Sequence, residues 1–361
     1  MNSPRLTDSI RIVGAGLLGT SIGLALSKLG LDVVIADASP ANQKLAIDYG
    51  AGRNPSDTDQ PKLIVVCVPP DVTATVVAAE LKNFANAVVT DVASVKLAIE
   101  AELEALGADL SRFVGSHPMA GRERGGAIAG RADLFVGRPW VITPNSKSDA
   151  TAIKLVADLA SALESSVVTV SPKDHDRAVA LVSHVPQLVS SLLAARLVDA
   201  KKDDVALAGQ GLRDTTRIAA SDAKLWMQIL GGNTADVKTV LQGFAEDLGR
   251  VIKSFDDLEA PGALSDLGEV LLAGNRGVAL IPGKHGSAAT NYSQVVVMID
   301  DKPGQMAKLL TEIGEIGINL EELKLEHSPS AQIGLVELYV LPSAESKLID
   351  DLVLRGWRIA G

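Results

Sequence analysis

A histidine directly after an apolar run is the first candidate for chemistry. His117 lies in GSHPMAGR, residues 115–122, and is one of five histidines in the chain. Its side chain titrates near neutral pH, which suits a group that takes or polarises a hydroxyl proton. Pro118 restricts the backbone on both sides of the peptide bond that joins the two residues. A histidine directly after a strand is also common as a hydrogen-bonded turn residue, so the choice between a catalytic and a structural role depends on the elements around it.

A glycine-rich stretch near the amino terminus supplies that context. IRIVGAGLLGTSIG contains Gly14, Gly16 and Gly19 as GxGxxG, after a predicted strand and at the start of an apolar helix. Such glycines permit a tight turn and let the backbone approach a pyrophosphate at the helix amino terminus. The next predicted strand ends in Asp37, which can accept both ribose hydroxyls and would repel a 2′-phosphate. The pattern predicts an NAD site with a preference over NADP; a glycine-rich turn that binds nothing would leave Asp37 unexplained.

Ligands of open α/β sheets gather at the carboxyl ends of the strands. The predicted cofactor contacts are therefore Gly14, Gly16, Leu17, Leu18, Gly19, Asp37, Val68, Pro69 and Ser94. Pro69 is equally well explained as a strand terminator, and Ser94 as a helix cap. His117 follows another strand at the same edge, where hydride removal from a carbinol carbon needs a base.

Two later stretches add polar groups to an otherwise apolar helical region. His184 and Gln187 in SHVPQ share a helix face, with Pro186 marking a kink or a helix start. Arg213 and Arg217 in GLRDTTRIAASDAKLW could each fork onto a substrate carboxylate. Surface ion pairs are the alternative for the arginines, and core packing is the alternative for Trp226 in the same stretch.

The order of patterns predicts three domains. Seven Val/Ile-rich runs alternate with helical patterns in residues 8–171, which indicates an α/β, Rossmann-like domain with a mostly parallel sheet. Residues 172–282 carry only helical patterns, residues 283–293 have linker composition, and residues 294–361 read βαββαβ, a small ferredoxin-like α+β domain.

Composition narrows the possible partners and the location. A formal net charge of −10 and a pI near 5.1 argue against a nucleic-acid or anionic membrane surface. The amino terminus lacks a signal-type apolar core, so a cytoplasmic location is expected. The apolar window 178–198 is interrupted by polar residues and is expected to be a helix buried on most faces by protein. No metal site is predicted.

Five ordered motifs resemble one family. IRIVGAGLLGTSIGLAL, DVASVK, GSHPMAGRERGG, HDRAVALVSHVPQ and GLRDTTRIAASDAKLW occur with the order and spacing of the prephenate dehydrogenases of tyrosine biosynthesis. The resemblance covers roughly residues 8 to 282. It implies NAD-dependent oxidative decarboxylation of prephenate to 4-hydroxyphenylpyruvate.

The resemblance also implies roles for single residues. His117 would accept a hydrogen bond from the ring hydroxyl and take its proton, with Ser94 orienting both groups, and Arg217 would bind a substrate carboxylate. The remaining predicted pocket residues are His184, Gln187, Arg213, Gly211 and Trp226. Many relatives carry a second histidine at the position of Gln187, and glutamine cannot carry a charge. Prephenate is favoured as the substrate, with arogenate as the alternative.

The last segment resembles an ACT domain, an amino-acid-sensing module. Its marks are the Asp-Lys-Pro-Gly turn of IDDKPGQ and the Gly-Ile-Asn before the second strand. The resemblance implies feedback by tyrosine, with Pro303, Gly304, Gln305, Asn319 and His327 as effector residues; a domain that only supports assembly is the alternative. The helices of the middle domain are apolar enough that another surface is expected to bury them, and a second copy of the chain in a homodimer is the simplest such surface.

Two other classes of protein stay open. β-Hydroxyacid dehydrogenases also join a GxGxxG domain to a helical one, but they use a helical lysine where this chain offers His117. A non-catalytic regulator that binds NAD and an amino acid would produce no NADH from any cyclohexadienyl acid.

Overall fold

The structure is a computed structural model that describes residue 6 and residues 9–122, 125–282, 292–327 and 333–360. Most of the predicted linker 283–293 lies outside the described residues. The strands are β1 (Ile10–Val13), β2 (Val33–Ala36), β3 (Leu63–Val66), β4 (Val88–Asp91), β5 (Phe113–Pro118), β6 (Pro139–Thr143), β7 (Ser166–Thr169), β8 (Ser293–Asp300), β9 (Glu322–His327), β10 (Ile333–Val340) and β11 (Arg358–Ala360). The helices are α1 (Leu17–Lys28), α2 (Pro40–Asp48), α3 (Pro70–Asn83), α4 (Leu97–Ala105), α5 (Ala150–Ala162), α6 (Pro172–Val179), α7 (Val185–Ala195), α8 (Lys202–Ala206), α9 (Gln210–Thr216), α10 (Ala223–Gly232), α11 (Thr234–Asp256), α12 (Ala263–Val278), α13 (Gln305–Ile316) and α14 (Pro342–Leu354).

The first seven strands form one sheet in the order β2-β1-β3-β4-β5-β6-β7. Each of the seven predicted apolar runs supplies one strand. The central strands β3, β4 and β5 are almost wholly buried, as expected for strands covered on both faces, whereas all four residues of β7 are exposed. All neighbours are parallel except β5 and β6, which are antiparallel. Ile12, Ile35 and Val65 are fully buried in the core of this sheet. The carboxyl ends of β1 to β5 therefore share one edge, which confirms the predicted Rossmann-like architecture.

Between Pro172 and Val278 the described chain forms only helices, as predicted. α6 and α7 are joined by a π-helical turn, Ala180–His184, and Pro186 lies in the first turn of α7. The resulting stretch Pro172–Ala195 is the one helix among the described residues whose length and apolar composition would allow a membrane span. Only 33% of its apolar window is buried.

The expectation that this stretch is buried on most faces is therefore wrong for the single chain. Leu181, Val182 and Leu192 are each more than half exposed, whereas His184 and Gln187 are buried. The helix turns polar side chains toward the sheet domain and apolar ones outward, the reverse of an ordinary surface helix.

The carboxy-terminal region is an antiparallel sheet in the order β11-β8-β10-β9. α13 and α14 pack on it, and Leu309, Val336 and Leu338 lie fully buried between the layers. The predicted βαββαβ order is confirmed.

The chain divides into two compact units. One comprises the chain up to Ala200 together with Thr215–Phe244, and the other comprises Lys201–Asp214 and the chain from Ala245 onward. The division into three domains at residues 171 and 282 stays a prediction.

Candidate active site

The turn between β1 and α1 is shaped by steric exclusion. Gly14 has a φ of +106°, and a Cβ there would overlap the Cys67 carbonyl of the neighbouring strand connection. A Cβ at Gly19 would overlap the Gly14 carbonyl oxygen. Side chains are therefore excluded where the helix packs against its own incoming strand.

The same turn leaves room for a ligand at Gly16. A Cβ at Gly16 would meet no atom within 4 Å, and the residue caps α1 without a side-chain hydrogen bond. Leu17 and Leu18 begin the helix in partly exposed positions. Uncapped N–H groups beside open space fit a pyrophosphate, because the helix amino terminus favours an anion.

Asp37 lies directly after β2 and joins two turns. Its Oδ2 accepts a hydrogen bond from Ala15 N at 2.6 Å, and its Oδ1 accepts one from Ser39 N at 2.7 Å. The carboxylate is only partly buried, and each oxygen retains acceptor capacity for a ribose hydroxyl. This arrangement fits the adenosine half of NAD.

The other predicted cofactor residues, Val68, Pro69 and Ser94, lie near this edge in three different surroundings. Val68 lies against Gly14, with its Cγ1 3.2 Å from the position that a Cβ would take. Pro69 caps α3, so it does terminate the strand connection. Ser94 is partly buried between β4 and α4 and makes no hydrogen bond to the residues that the structure describes. Contacts of these side chains with a cofactor stay predictions.

His117 in β5 has a histidine partner that the sequence did not suggest. Its Nδ1 lies 2.9 Å from Nε2 of His175, and the two rings meet edge to face with centroids 5.2 Å apart. His175 Nδ1 lies 2.7 Å from Asp176 Oδ1. Three side chains thus form a chain of two hydrogen bonds that runs from β5 into α6.

Asp176 is fixed by backbone donors as well as by His175. Lys96 N donates to Oδ1 at 3.0 Å, and Leu97 N donates to Oδ2 at 2.9 Å. These are the first N–H groups of α4, where a carboxylate is stabilised by the helix dipole. Asp176 therefore joins α6 to α4 and holds His175 in place.

A buried ion pair lies beneath His117. Lys96 Nζ contacts Asp91 Oδ2 and donates to Ser116 O at 2.8 Å; both charged side chains are almost fully buried. Burial lowers the pKa of Lys96, and Asp91 opposes that shift. The sequence places Lys96 in DVASVK, where a solvated charge is the simpler expectation, but its ammonium group is buried between the ends of β4 and β5.

His117 is held in its neutral form. Burial lowers its pKa well below the usual value, and positive charge on His175, Lys96 or His184 acts in the same direction. Its Nε2 makes no hydrogen bond to any residue that the structure describes, and the ring is partly accessible. The ring can accept a proton from a ligand at that edge.

His184 adds a second neutral imidazole. Its Nδ1 lies 3.3 Å from Asn233 Nδ2, which also donates to Asp176 O at 2.7 Å, and burial lowers the pKa of His184 to about 4. Because an amide nitrogen only donates, His184 accepts at Nδ1 and carries its hydrogen on Nε2. That nitrogen is buried with no partner among the described residues, and the ring meets Trp226 edge to face at 6.1 Å.

The remaining predicted pocket residues divide between the two compact units. Gln187 Nε2 donates to Ser191 Oγ at 3.3 Å, and Ser221 Oγ donates to Gln187 Oε1 at 3.4 Å. Arg217 begins a short 3-10 turn in the same unit and is exposed. Gly211 and Arg213 lie in α9, in the part of it that belongs to the other unit.

The predicted effector residues also lie in that other unit. Gly304 caps α13 in the left-handed conformation, between exposed Pro303 and partly buried Gln305. Asn319 Nδ2 donates to Glu321 Oε1 at 2.8 Å. His327 ends β9, and its side chain lies outside what the structure describes.

Sequence reasoning missed His175, Asp176 and Asn233. The available signal was the adjacent His-Asp pair in HDRAV, which the structure buries in α6 together with Val179. The described residues contain no group of His, Cys, Asp and Glu side chains that could hold a metal ion.

A dinucleotide-type turn and a neutral imidazole at the same sheet edge define a class, the nucleotide-dependent dehydrogenases. The profile of the prephenate dehydrogenase nucleotide-binding domain matches residues 22–169, and that of the prephenate dehydrogenase dimerization domain matches residues 171–266. A probable prephenate dehydrogenase of Streptomyces niveus is 34% identical over 353 residues, covering 96% of this chain and 98% of that protein. The chain belongs to the prephenate dehydrogenase family and is an NAD-dependent oxidoreductase.

Solved structures agree with this assignment. The A. aeolicus prephenate dehydrogenase in complex with hydroxyphenyl propionate and NAD+ is 28% identical, with a TM-score of 0.65 over 75% of this chain and 98% of that one. The Synechocystis arogenate dehydrogenase is 27% identical, with a TM-score of 0.61 over 75% of this chain and 99% of that one. Both family profiles end before β8, so the ACT identity of the last segment stays a prediction.

Proposed function

We propose that the protein catalyses the NAD-dependent oxidative decarboxylation of prephenate to 4-hydroxyphenylpyruvate. The observation that carries the proposal is His117, a neutral imidazole with an unused Nε2 at the sheet edge that also holds the glycine turn. A family member that is 34% identical over nearly the whole chain is described as a probable prephenate dehydrogenase.

The reaction needs a base, a hydride acceptor and a site for carboxylates. Bound NAD supplies the hydride acceptor. His117 accepts a hydrogen bond from the ring hydroxyl and takes up its proton as the ring carbon is oxidised. The ring carboxylate leaves as CO2, and aromatisation makes the step strongly downhill. Ser116 and His175, on either side of the His117 ring, are buried.

Arg217 is proposed to bind a substrate carboxylate. A hydrogen bond to a charged group contributes about 1.5 to 3 kcal/mol, so Arg217→Ala is expected to raise KM for prephenate by roughly 10- to 100-fold. The kcat should change much less, since the arginine is proposed to hold the substrate equally in the ground and transition states. Arg250→Ala, which removes an exposed arginine paired with Asp247, is the matched control.

Prephenate is proposed over arogenate because the relative that matches nearly the whole chain is described as a probable prephenate dehydrogenase. Gln187, which is hydrogen-bonded to Ser191 and Ser221, is neutral and can donate to or accept from either substrate side chain, so it does not itself set the preference. The Synechocystis relative is described as an arogenate dehydrogenase, which keeps arogenate as the second candidate.

Purified protein incubated with NAD and either compound tests the function and the preference together. NADH formation is followed by its ultraviolet absorbance, and kcat/KM for prephenate is expected to exceed that for arogenate. The reverse ratio would assign arogenate as the substrate. An absence of NADH with both compounds would contradict the proposal.

Two further proposals concern assembly and regulation. The exposed apolar residues of Pro172–Ala195 and the match to a dimerization domain support a homodimer. The βαββαβ fold with its left-handed Gly304 turn supports tyrosine as an effector. Light scattering should give twice the chain mass, and tyrosine should inhibit prephenate turnover; a monomer, or kinetics unchanged by saturating tyrosine, would contradict the corresponding proposal.

A further inference from the structure

His117 and its buried partner His175 share one hydrogen bond, which needs one donor and one acceptor. The distance of 2.9 Å between His117 Nδ1 and His175 Nε2 leaves two ways to place the proton. His175 Nδ1 faces the Asp176 carboxylate at 2.7 Å and therefore carries a hydrogen in both cases. The position of the shared proton decides what His117 can do.

In the first arrangement the shared proton is on His117 Nδ1. His175 is then a neutral ring that accepts at Nε2, and His117 Nε2 carries a lone pair. In the second arrangement the pair holds one more proton than in the first, and the shared proton is on His175 Nε2. His175 is then an imidazolium beside Asp176, and neutral His117 carries its hydrogen on Nε2, where it can no longer act as a base.

We propose that His175 and Asp176 are positioning residues that set His117 as a base at Nε2 and then receive the positive charge created by proton uptake. This inference rests on the proposed function, since it deepens the role of His117 in that reaction. The two arrangements above are its resting state and its protonated state.

The steps balance without any redox change in the protein. The substrate O–H bond breaks as an N–H bond forms at His117 Nε2. The Nδ1–H bond of His117 then breaks as an N–H bond forms at His175 Nε2. One proton has entered the pair, and the charge lies on His175, 2.7 Å from the Asp176 carboxylate.

The surroundings explain why the charge should move away from His117. The Lys96 ammonium group disfavours a second positive charge on His117, while Asp91 is already engaged with Lys96. Asp176 is the carboxylate that remains, and it is in contact with His175 rather than with His117. A buried cation is tolerated only beside a counter-ion, so His175 is the better place for it.

The kinetic test uses His175→Gln and His175→Leu. Glutamine can accept the hydrogen bond from His117 Nδ1 but cannot carry the charge, whereas leucine can do neither. We expect kcat to fall about 10-fold or more in His175→Gln and about 10²-fold in His175→Leu, with the Kd for NAD unchanged. In His175→Gln the acidic limb of the kcat profile should move to lower pH, because the charge must then stay on His117.

Arg177→Gln is the matched control, since Arg177 lies on the same helix and makes an exposed ion pair with Asp174. It should retain wild-type kcat and pH profile. A His175→Gln enzyme with wild-type kcat and an unmoved acidic limb would overturn the inference, and so would a loss of kcat of equal size at every pH, which indicates a structural role only.

A second measurement is independent of activity and reads the wild-type protein. Two-bond ¹H–¹⁵N correlation spectra of ¹⁵N-histidine protein distinguish the ring tautomers, and only five histidines contribute. The His117 signals, identified by their loss in His117→Asn, should show hydrogen on Nδ1 above pH 7. Hydrogen on Nε2 would overturn the inference even if prephenate is turned over, whereas a wild-type enzyme inactive on prephenate would contradict only the proposed function.

Discussion

The glycine turn after β1 and the His117–His175–Asp176 chain, which begins near the end of β5, lie at the same sheet edge but are built differently. The turn depends on backbone atoms and on the absence of side chains at Gly14 and Gly19. The histidine chain depends on three side chains from two elements and on the charges around them. A substitution in the turn should therefore disturb shape, whereas one in the histidine chain should disturb proton transfer and leave the shape intact.

The largest expected effect falls on the histidine chain. His117→Asn retains a hydrogen-bonding side chain but removes the base, so kcat should fall by roughly 10²- to 10⁴-fold. Calorimetric titration should give an unchanged Kd for NAD, because the turn is untouched. A His117→Asn variant with wild-type kcat would contradict the role of His117 as the base, and with it the difference proposed between the two regions.

The turn should respond in the opposite way. A methyl group at Gly19 overlaps the Gly14 carbonyl, so Gly19→Ala should lower the free energy of unfolding by about 3 kcal/mol. Gly16→Ala is the matched control for shape, since its methyl group enters open space and should change stability by less than about 1 kcal/mol. Denaturant melts give both values, and Gly16→Ala should still weaken NAD binding because its methyl group takes the space proposed for pyrophosphate. Equal stability losses in the two variants would contradict the steric account.

A smaller effect is expected on the pH dependence of the free energy of unfolding, and it involves His184. Burial lowers the pKa of His184 from its ordinary value of 6.5 to about 4. Between these two pH values the unfolded chain binds a proton at His184 and the folded chain does not. Stability from this group is therefore complete above about pH 6.5 and falls as the pH decreases, by about 2 kcal/mol at pH 5. His184→Gln should flatten this dependence in denaturant melts at pH 7 and pH 5. A dependence as steep as that of the wild type would show that other groups cause it.

The sequence predicted the turn well and the histidine chain only in part. The apolar runs predicted all seven strands, although the last one, β7, is exposed in this chain, and the glycine motif with Asp37 follows from local spacing. His117 was found through its position after a strand. Its partner His175 lies 58 residues away, and no local pattern shows that a helix will bring it to Nδ1.

The helical region shows the same limit. Apolar periodicity correctly predicted the helices around Pro186, but it could not tell which face meets the sheet. Polar Gln187 and His184 face inward, and the apolar residues Leu181 and Leu192 face outward, so burial on most faces was the wrong expectation. Which side chains a helix buries is decided by its tertiary partners, and these are not encoded in periodicity alone.

The central claim is that the two regions act on one carbon atom, the ring carbon whose hydroxyl His117 holds and whose hydride the turn-bound cofactor receives. Prephenate carrying deuterium at that carbon tests it directly, with the reduced cofactor analysed by mass spectrometry after turnover by the wild-type protein. The account predicts that the deuterium is recovered in NADH and that turnover is slowed. Unlabelled NADH from this substrate would contradict it.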